Sequence, residues 1–210
     1  MIIYGSSISP FVRKVLVVAA EKGMAVENKP INPVQPDAEF IACSPFHKIP
    51  ALRDGDFTLS DSSAIVHYME AVQPEPAMIP SEAKARGRTI WYEEYADTII
   101  VAVGGKMFFN RVVAPKFMGR PGDMDVADKA EKEELPPVLD YLESIAPQSG
   151  FLVGDSLTLA DIAVASPFAN FRYMDTDLTR WPKAAAYIDS ILARPSFASL
   201  IEVESRILSR

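Results

Sequence analysis

The sequence predicts two domains of different class, an α/β domain with a mixed sheet followed by an all-α domain, and three observations carry that reading. Up to about residue 73, short apolar runs alternate with helical patterns in the order βαβ and then ββα. Three prolines, Pro74, Pro76 and Pro80, then crowd a stretch in which no regular element survives. Beyond them the strand signals stop and long helical periodicities take over. The domains are therefore read as residues 1–73, a linker at 74–80, and residues 81–210.

Met1 to Tyr4 is a short apolar strand, and Gly5-Ser6-Ser7 a loop. Ser9 caps a helix whose first position is Pro10, where a missing N–H costs nothing, and Gly23 ends it after Lys22. Phe11, Val12 and the run Val15 to Ala19 are apolar almost all round, so this helix is expected to be covered on two sides, by a sheet and by the second domain. Ala25 to Ile31 is a second strand, Pro33 to Pro36 a loop, and Asp37 to Ala42 a short helix. Pro50 leads into the strand Ala51-Leu52-Arg53, and the turn Asp54-Gly55-Asp56 pairs it antiparallel with Phe57-Thr58-Leu59. Ser62 to Ala71 is a helix with Ala64, Ile65, Tyr68 and Met69 as its apolar stripe.

In the second half, Glu82 to about Asn110 is a long helix carrying Ile90, Trp91, Tyr95, Ile99 and Met107, with a bend expected at Gly104-Gly105. Asp125 to Ile145 is another, kinked by Pro136-Pro137. Leu157 to Ile162 reads as a capping box, with Thr158 at the cap, Asp161 three residues on, and Leu157 and Ile162 stapling across it. Trp181 to Ala193 and Ser196 to Leu208, separated by Arg194-Pro195, complete the helices.

Composition excludes several function classes. The 210 residues are 49% hydrophobic and 23% charged, ordinary for a globular chain able to bury a sizeable core. A net charge of -7 with no Lys/Arg cluster argues against nucleic acid or an anionic membrane as partner. Cys43 is the single cysteine, which rules out an internal disulfide and suits a reducing compartment. Arg13-Lys14 with Val15 to Ala20 imitates a secretory signal, but the apolar stretch is too short, and no apolar run approaches about 18 residues. A cytoplasmic protein without a membrane segment is expected. His47 and His67 lack the spacing of a zinc site, so no metal is expected.

Two stretches carry the chemistry. In Phe46-His47-Lys48-Ile49-Pro50-Ala51-Leu52 the proline restricts Ile49 to extended geometry, leaving its backbone to pair with an extended ligand. The isomer of the Ile49-Pro50 bond is open at this point. In Ser60-Asp61-Ser62-Ser63-Ala64-Ile65 an apolar helix begins with groups suited to an anion. Together, in this order and behind the Ser9-Pro10 helix start, they resemble the glutathione S-transferase superfamily over nearly the whole chain, with a thioredoxin-like first domain and an all-helical second one. The Thr158 to Asp161 capping box resembles that of the same family's helical domain, where it serves folding.

The resemblance implies glutathione as co-substrate, no metal, and a small hydrophobic electrophile as second substrate. A free thiol has a pKa near 8.5, so keeping it largely ionised at neutral pH needs a drop of roughly two units, worth about 2.7 kcal/mol. A hydrogen bond to the thiolate contributes about 1.5 to 3 kcal/mol and a helix N-terminus about 0.3 to 2. Ser9 stands where the serine-type, theta-like and zeta-like members keep their activating group, and as a cap it would combine both effects; Ser7, Ser6 and Tyr4 are the alternatives. A cysteine at that place is absent, which disfavours a thioltransferase, and Cys43 reads as a packing residue.

By the same resemblance Ile49, presented by Pro50, pairs with the cysteinyl part of glutathione. Lys48 holds the glycyl carboxylate, Ser62 binds the γ-glutamyl carboxylate, and Asp61 faces the ammonium. His47 stands where many relatives carry glycine. The electrophile is expected between the domains, near Phe11, Tyr92, Phe108 and Phe109, although aromatics at helical spacing also serve as core. A homodimer is implied, with Asp97 reaching the neighbouring site. Alternatives are a non-enzymatic relative acting as an interaction module and a glutathione-dependent isomerase, dehalogenase, etherase or peroxidase. The double-serine-cysteine-serine run of zeta-like isomerases is absent, since Pro10 and Phe11 follow Ser9.

Overall fold

The computed structural model describes residues 1–32, 35–148 and 150–209. Its contacts divide the chain into two compact units, Met1–Pro80 with Pro195–Arg210, and Ser81–Arg194.

In the first unit the order is β1 (Ile2–Tyr4), α1 (Pro10–Glu21), β2 (Glu27–Lys29), α2 (Ala38–Cys43), β3 (Ala51–Asp54), β4 (Phe57–Ser60) and α3 (Ser62–Val72). Part of the predicted loop Pro33 to Pro36, namely Pro33 and Val34, lies outside the described residues. The sheet runs β2-β1-β3-β4, with β1 parallel to β2 and antiparallel to β3, and β3 antiparallel to β4. This is the mixed sheet of a thioredoxin-like domain. Gly55 turns the β3–β4 hairpin with φ +59, which glycine adopts without a Cβ penalty. Asp37 caps α2 by accepting from the Phe40 N–H at 2.8 Å. The buried face of α3 is Ser62, Ile65, Val66 and Met69, so Val66 takes the place expected for Ala64 and Tyr68.

Along α1 every residue from Val12 to Ala19 is buried, including Arg13 and Lys14. Its neighbours inside this unit are β1, α3 and the final helix α11 (Pro195–Leu208, numbered in chain order after those below). The second cover expected from another domain is thus provided here by a distant segment of the same unit. Lys22 at the end of α1 donates to Glu70 and to the Pro76 carbonyl, each at 2.7 Å, and Glu70 accepts from the Met78 and Ile79 N–H groups. These bonds fasten the proline-rich stretch.

In the second unit α4 (Ala83–Glu94), α5 (Val101–Phe108) and α6 (Ala114–Phe117) form one continuous helix with π-helical stretches at Tyr95–Ile100 and Phe109–Val113. The irregularity therefore lies beside Gly104-Gly105 rather than at them. Gly104 instead gives room to Phe171, whose ring would meet an added Cβ at 2.6 Å. Trp91 and Ile99 of this helix are exposed. By length and composition alone this 35-residue helix could cross a membrane, with an 18-residue window of mean hydropathy 1.2; a core helix meets the same test. Asp97 and Lys106 interrupt the apolar run in the sequence.

Then come α7 (Met124–Lys129), a π-helical stretch Ala130–Glu134, α8 (Leu135–Ile145), α9 (Leu159–Tyr173) and α10 (Pro182–Leu192). Pro136 and Pro137 follow closely on that π-helical stretch, inside the continuous helical run from Met124 to Ile145. The capping box forms at α9. Asp161, wholly buried, accepts from the Thr158 N–H at 2.9 Å, the Leu152 N–H at 2.8 Å and the Tyr187 hydroxyl at 2.7 Å.

Candidate active site

The first unit carries a cavity of about 340 Å³ lined by Phe11, Phe46, Lys48, Ile49, Pro50 and the Ser60-Asp61-Ser62 run. Each wall follows from local sequence. Phe11 is in the first turn of α1, behind Pro10. The Ile49-Pro50 peptide is cis, and β3 starts immediately after it. Ser60 ends β4, and Asp61 caps α3 through a bond from the Ala64 N–H to Oδ1 at 3.0 Å. Asp61 has φ +87, a region L-residues rarely enter, and its carboxylate is exposed at the rim. Ser62 follows as the first residue of α3, only 3% exposed.

The floor of the loop before α1 is set by glycine. Gly5 has φ +132, and a Cβ there would lie 2.7 Å from the Val12 Cγ2 and 3.0 Å from the Ile49 Cβ. Only a residue without a side chain lets β1, α1 and the cavity wall approach this closely. The Asn28 amide donates to the Gly5 carbonyl at 2.9 Å and to the Ile3 carbonyl at 3.1 Å, holding the same loop to β2.

Among the candidates for thiol activation, the structure separates the alternatives by what they already bond. Tyr4 is buried against Phe40, Cys43 and Ala51, its hydroxyl donates to Glu39 at 3.3 Å, and burial pushes its phenol up. Ser6 accepts from the Ile8 N–H at 3.4 Å, and Ser7 is buried. Ser9 occupies the cap position of α1 with extended backbone, φ -69 and ψ 126, but its hydroxyl makes no capping bond. That corrects the expectation of a hydroxyl shared with the helix. The hydroxyl is half-buried, beside a helix start whose own N–H groups are left unsatisfied by it. Ser9 is not among the residues lining the cavity; Phe11, two positions on, is.

Phe46, 83% exposed, and Ser60 join the cavity although the sequence reading assigned them no contact. Both stand inside the two quoted stretches, so proximity in sequence was the available signal. His47 has φ +55 in the left-handed region, consistent with a place suited to glycine. Cys43, the last residue of α2, is buried and does not line the cavity. In the second unit Tyr92 and Phe108 are buried, as are Tyr95, Met107 and Phe171, whereas Phe109 is partly exposed with the Arg120 guanidinium 5.5 Å above its ring.

Comparison with known proteins identifies the family. Residues 3–77 match the sequence model of the glutathione S-transferase N-terminal domain, and residues 113–203 that of the C-terminal domain. A glutathione S-transferase of Hyoscyamus muticus is 32% identical over 96% of this chain and 98% of its own length. Among solved structures, a glutathione S-transferase from Rhodospirillum rubrum superposes with a TM-score of 0.86 at 25% identity, covering 95% of this chain and 90% of that one. The apo form of glutathione S-transferase III gives 0.80 at 31% identity, covering 96% and 95%. With both halves matched and a curated relative aligned along nearly its full length, the chain belongs to the glutathione S-transferase family and is a glutathione transferase.

Proposed function

We propose that this transferase binds glutathione in the 340 Å³ cavity, activates its thiol with Ser9, and adds the thiolate to a small apolar electrophile. The observation that carries the reading is the convergence of Lys48, Ile49, Pro50, Asp61 and Ser62, with Phe11, on that one cavity. Each has a chemical part. The Ile49 backbone pairs with the extended cysteinyl segment, and Lys48 neutralises the glycyl carboxylate. Ser62, at the start of α3, meets the γ-glutamyl carboxylate with its hydroxyl and backbone N–H, where the helix dipole favours an anion. Asp61 keeps one carboxylate oxygen for the cap and presents the charge to the ammonium.

Ser9 supplies the donor to the sulfur. Its hydroxyl is not engaged by α1, so its proton is available to a thiolate, while the helix start adds its field. Phe11 and Phe46 give the cavity an aromatic wall for the electrophile. The protein acts as a homodimer in the cytoplasm, a compartment that suits its single buried cysteine. Sedimentation at micromolar concentration tests the dimer, and a monomer would remove it.

The deciding experiment is the ultraviolet titration of the bound thiol in the parent and in Ser9→Ala. The expected result is a thiol pKa well below the free value of about 8.5 in the parent, moving back up in the variant. Equal values in the two proteins would remove Ser9 from the role. Absence of binding would return the chain to the interaction-module alternative.

A further inference from the structure

The wall of the cavity that carries Lys48 and Ile49 has no secondary structure of its own between the end of α2 and the start of β3. What fixes it is a side chain outside the cavity. Ser44, the C-cap of α2, is 0% exposed. Its hydroxyl accepts from the Lys48 N–H at 2.9 Å and donates to the Lys48 carbonyl at 2.7 Å, so both its functions are spent on one residue. The Ser44 N–H donates to the Phe40 carbonyl at 2.9 Å, and its own carbonyl accepts from the His47 N–H at 2.9 Å. Residues 44–48 thus form a closed loop riveted at both ends to a single buried hydroxyl and tied through it to α2.

We infer that Ser44 is a positioning residue for glutathione binding, acting through the Lys48 main chain. With the Lys48 N–H and carbonyl held, the direction in which its side chain leaves the backbone is set, and so is the plane of the adjoining peptide that brings Ile49 to the cavity. The inference rests on the glutathione reading above. Losing the hydroxyl leaves two main-chain groups without their partner, and the loop relaxes toward water to satisfy them. The left-handed backbone of His47, φ +55, is a conformation that non-glycine residues adopt uncommonly, so a loosened loop has reason to leave it.

The test is glutathione affinity by titration calorimetry, with kcat at saturating glutathione, in the parent, Ser44→Ala, Ser44→Cys, Ser44→Thr and Lys48→Ala. Ser44→Ala is expected to weaken binding about tenfold and to leave kcat within about twofold. Ser44→Cys, of similar size but a poor donor and acceptor, should follow it if the alanine form does not fold. Ser44→Thr, which keeps the hydroxyl, should bind like the parent. Affinity unchanged in the folded Ala or Cys form, while Lys48→Ala loses it, would overturn the inference and leave the site intact. A matching fall in kcat, or a Thr form as weak as Ala, would overturn it too, since either makes the effect a general loosening. Unaltered binding in Lys48→Ala would remove the Lys48 side chain as a ligand and overturn that half of Ser44's route, and a parent that binds no glutathione would end both readings.

Discussion

Arg13 of α1 and Glu204 of α11, 191 positions apart, form a bidentate ion pair with neither side chain exposed to solvent. The guanidinium reaches Oε1 through Nε at 3.1 Å and Oε2 through Nη2 at 2.7 Å, and the same Nη2 lies 3.4 Å from the carbonyl of Ile8, the residue before Ser9. A buried pair gains little over an apolar replacement, but truncating one partner strips the other of a bidentate contact that offset its desolvation. Glu204→Ala should therefore cost about 3 to 5 kcal/mol, whereas Arg13→Met with Glu204→Leu should recover most of it. Urea unfolding of the three proteins decides; a Glu204→Ala midpoint equal to the parent's would refute the account.

Ser9→Ala should lower kcat/KM at pH 7 by about ten- to a hundredfold, the range of one hydrogen bond to a charged group. The deficit should shrink at pH 9, where a free thiol of pKa about 8.5 ionises unaided. A deficit constant from pH 6.5 to 9 would mean that the serine does something other than stabilise the thiolate.

Asp61→Asn separates the two tasks of one side chain. The amide oxygen can still accept from the Ala64 N–H, so the cap and the melting temperature should survive. The negative charge does not survive, and glutathione affinity should fall about tenfold. Equal affinity in the two proteins would show that the ligand's ammonium is held elsewhere.

Asp161 predicts a pH dependence of stability. Burial raises its carboxyl above the usual range, against the lowering effect of its bonds from Leu152, Thr158 and Tyr187. The folded state therefore holds this proton to higher pH than the unfolded one does. Its titration contributes stability below the unfolded value of about 3.9, and that contribution is lost as pH rises through the raised folded value. In Asp161→Asn the component should vanish, although the protein is weaker at every pH because the amide cannot accept all of the buried donors. Unfolding free energies of both proteins from pH 3 to 7 give the comparison, and parallel curves would contradict it.

Much of the fold was legible because punctuation is local. Pro10 and Gly23 bracket α1, the Asp54-Gly55-Asp56 turn makes the hairpin, and the Thr158 to Asp161 box opens α9, each through bonds between residues a few positions apart. The cavity was legible for the same reason, since apart from Phe11 its walls are two short stretches. What the sequence hides is long-range or geometric. Arg13 and Lys14 read as a charged pair ahead of an apolar run, and nothing near them announces a carboxylate at position 204. Gly5 is one glycine among ten until Val12 and Ile49 are seen closing on it. Ser44 reads as an ordinary helix end, and the π-helical stretches follow no periodicity that a pattern of 3.6 residues detects.

The grouping of Pro195–Arg210 with Met1–Pro80 also bears on the order of events on the ribosome. Domains ordinarily mature in the order in which they are translated. Here Met1–Pro80 lacks α11, and with it the Glu204 carboxylate that pairs with Arg13, until Ser81–Arg194 has been made. The unit that carries the cavity is thus assembled from segments on both sides of Ser81–Arg194, and a nascent chain stalled within those residues holds that unit without α11.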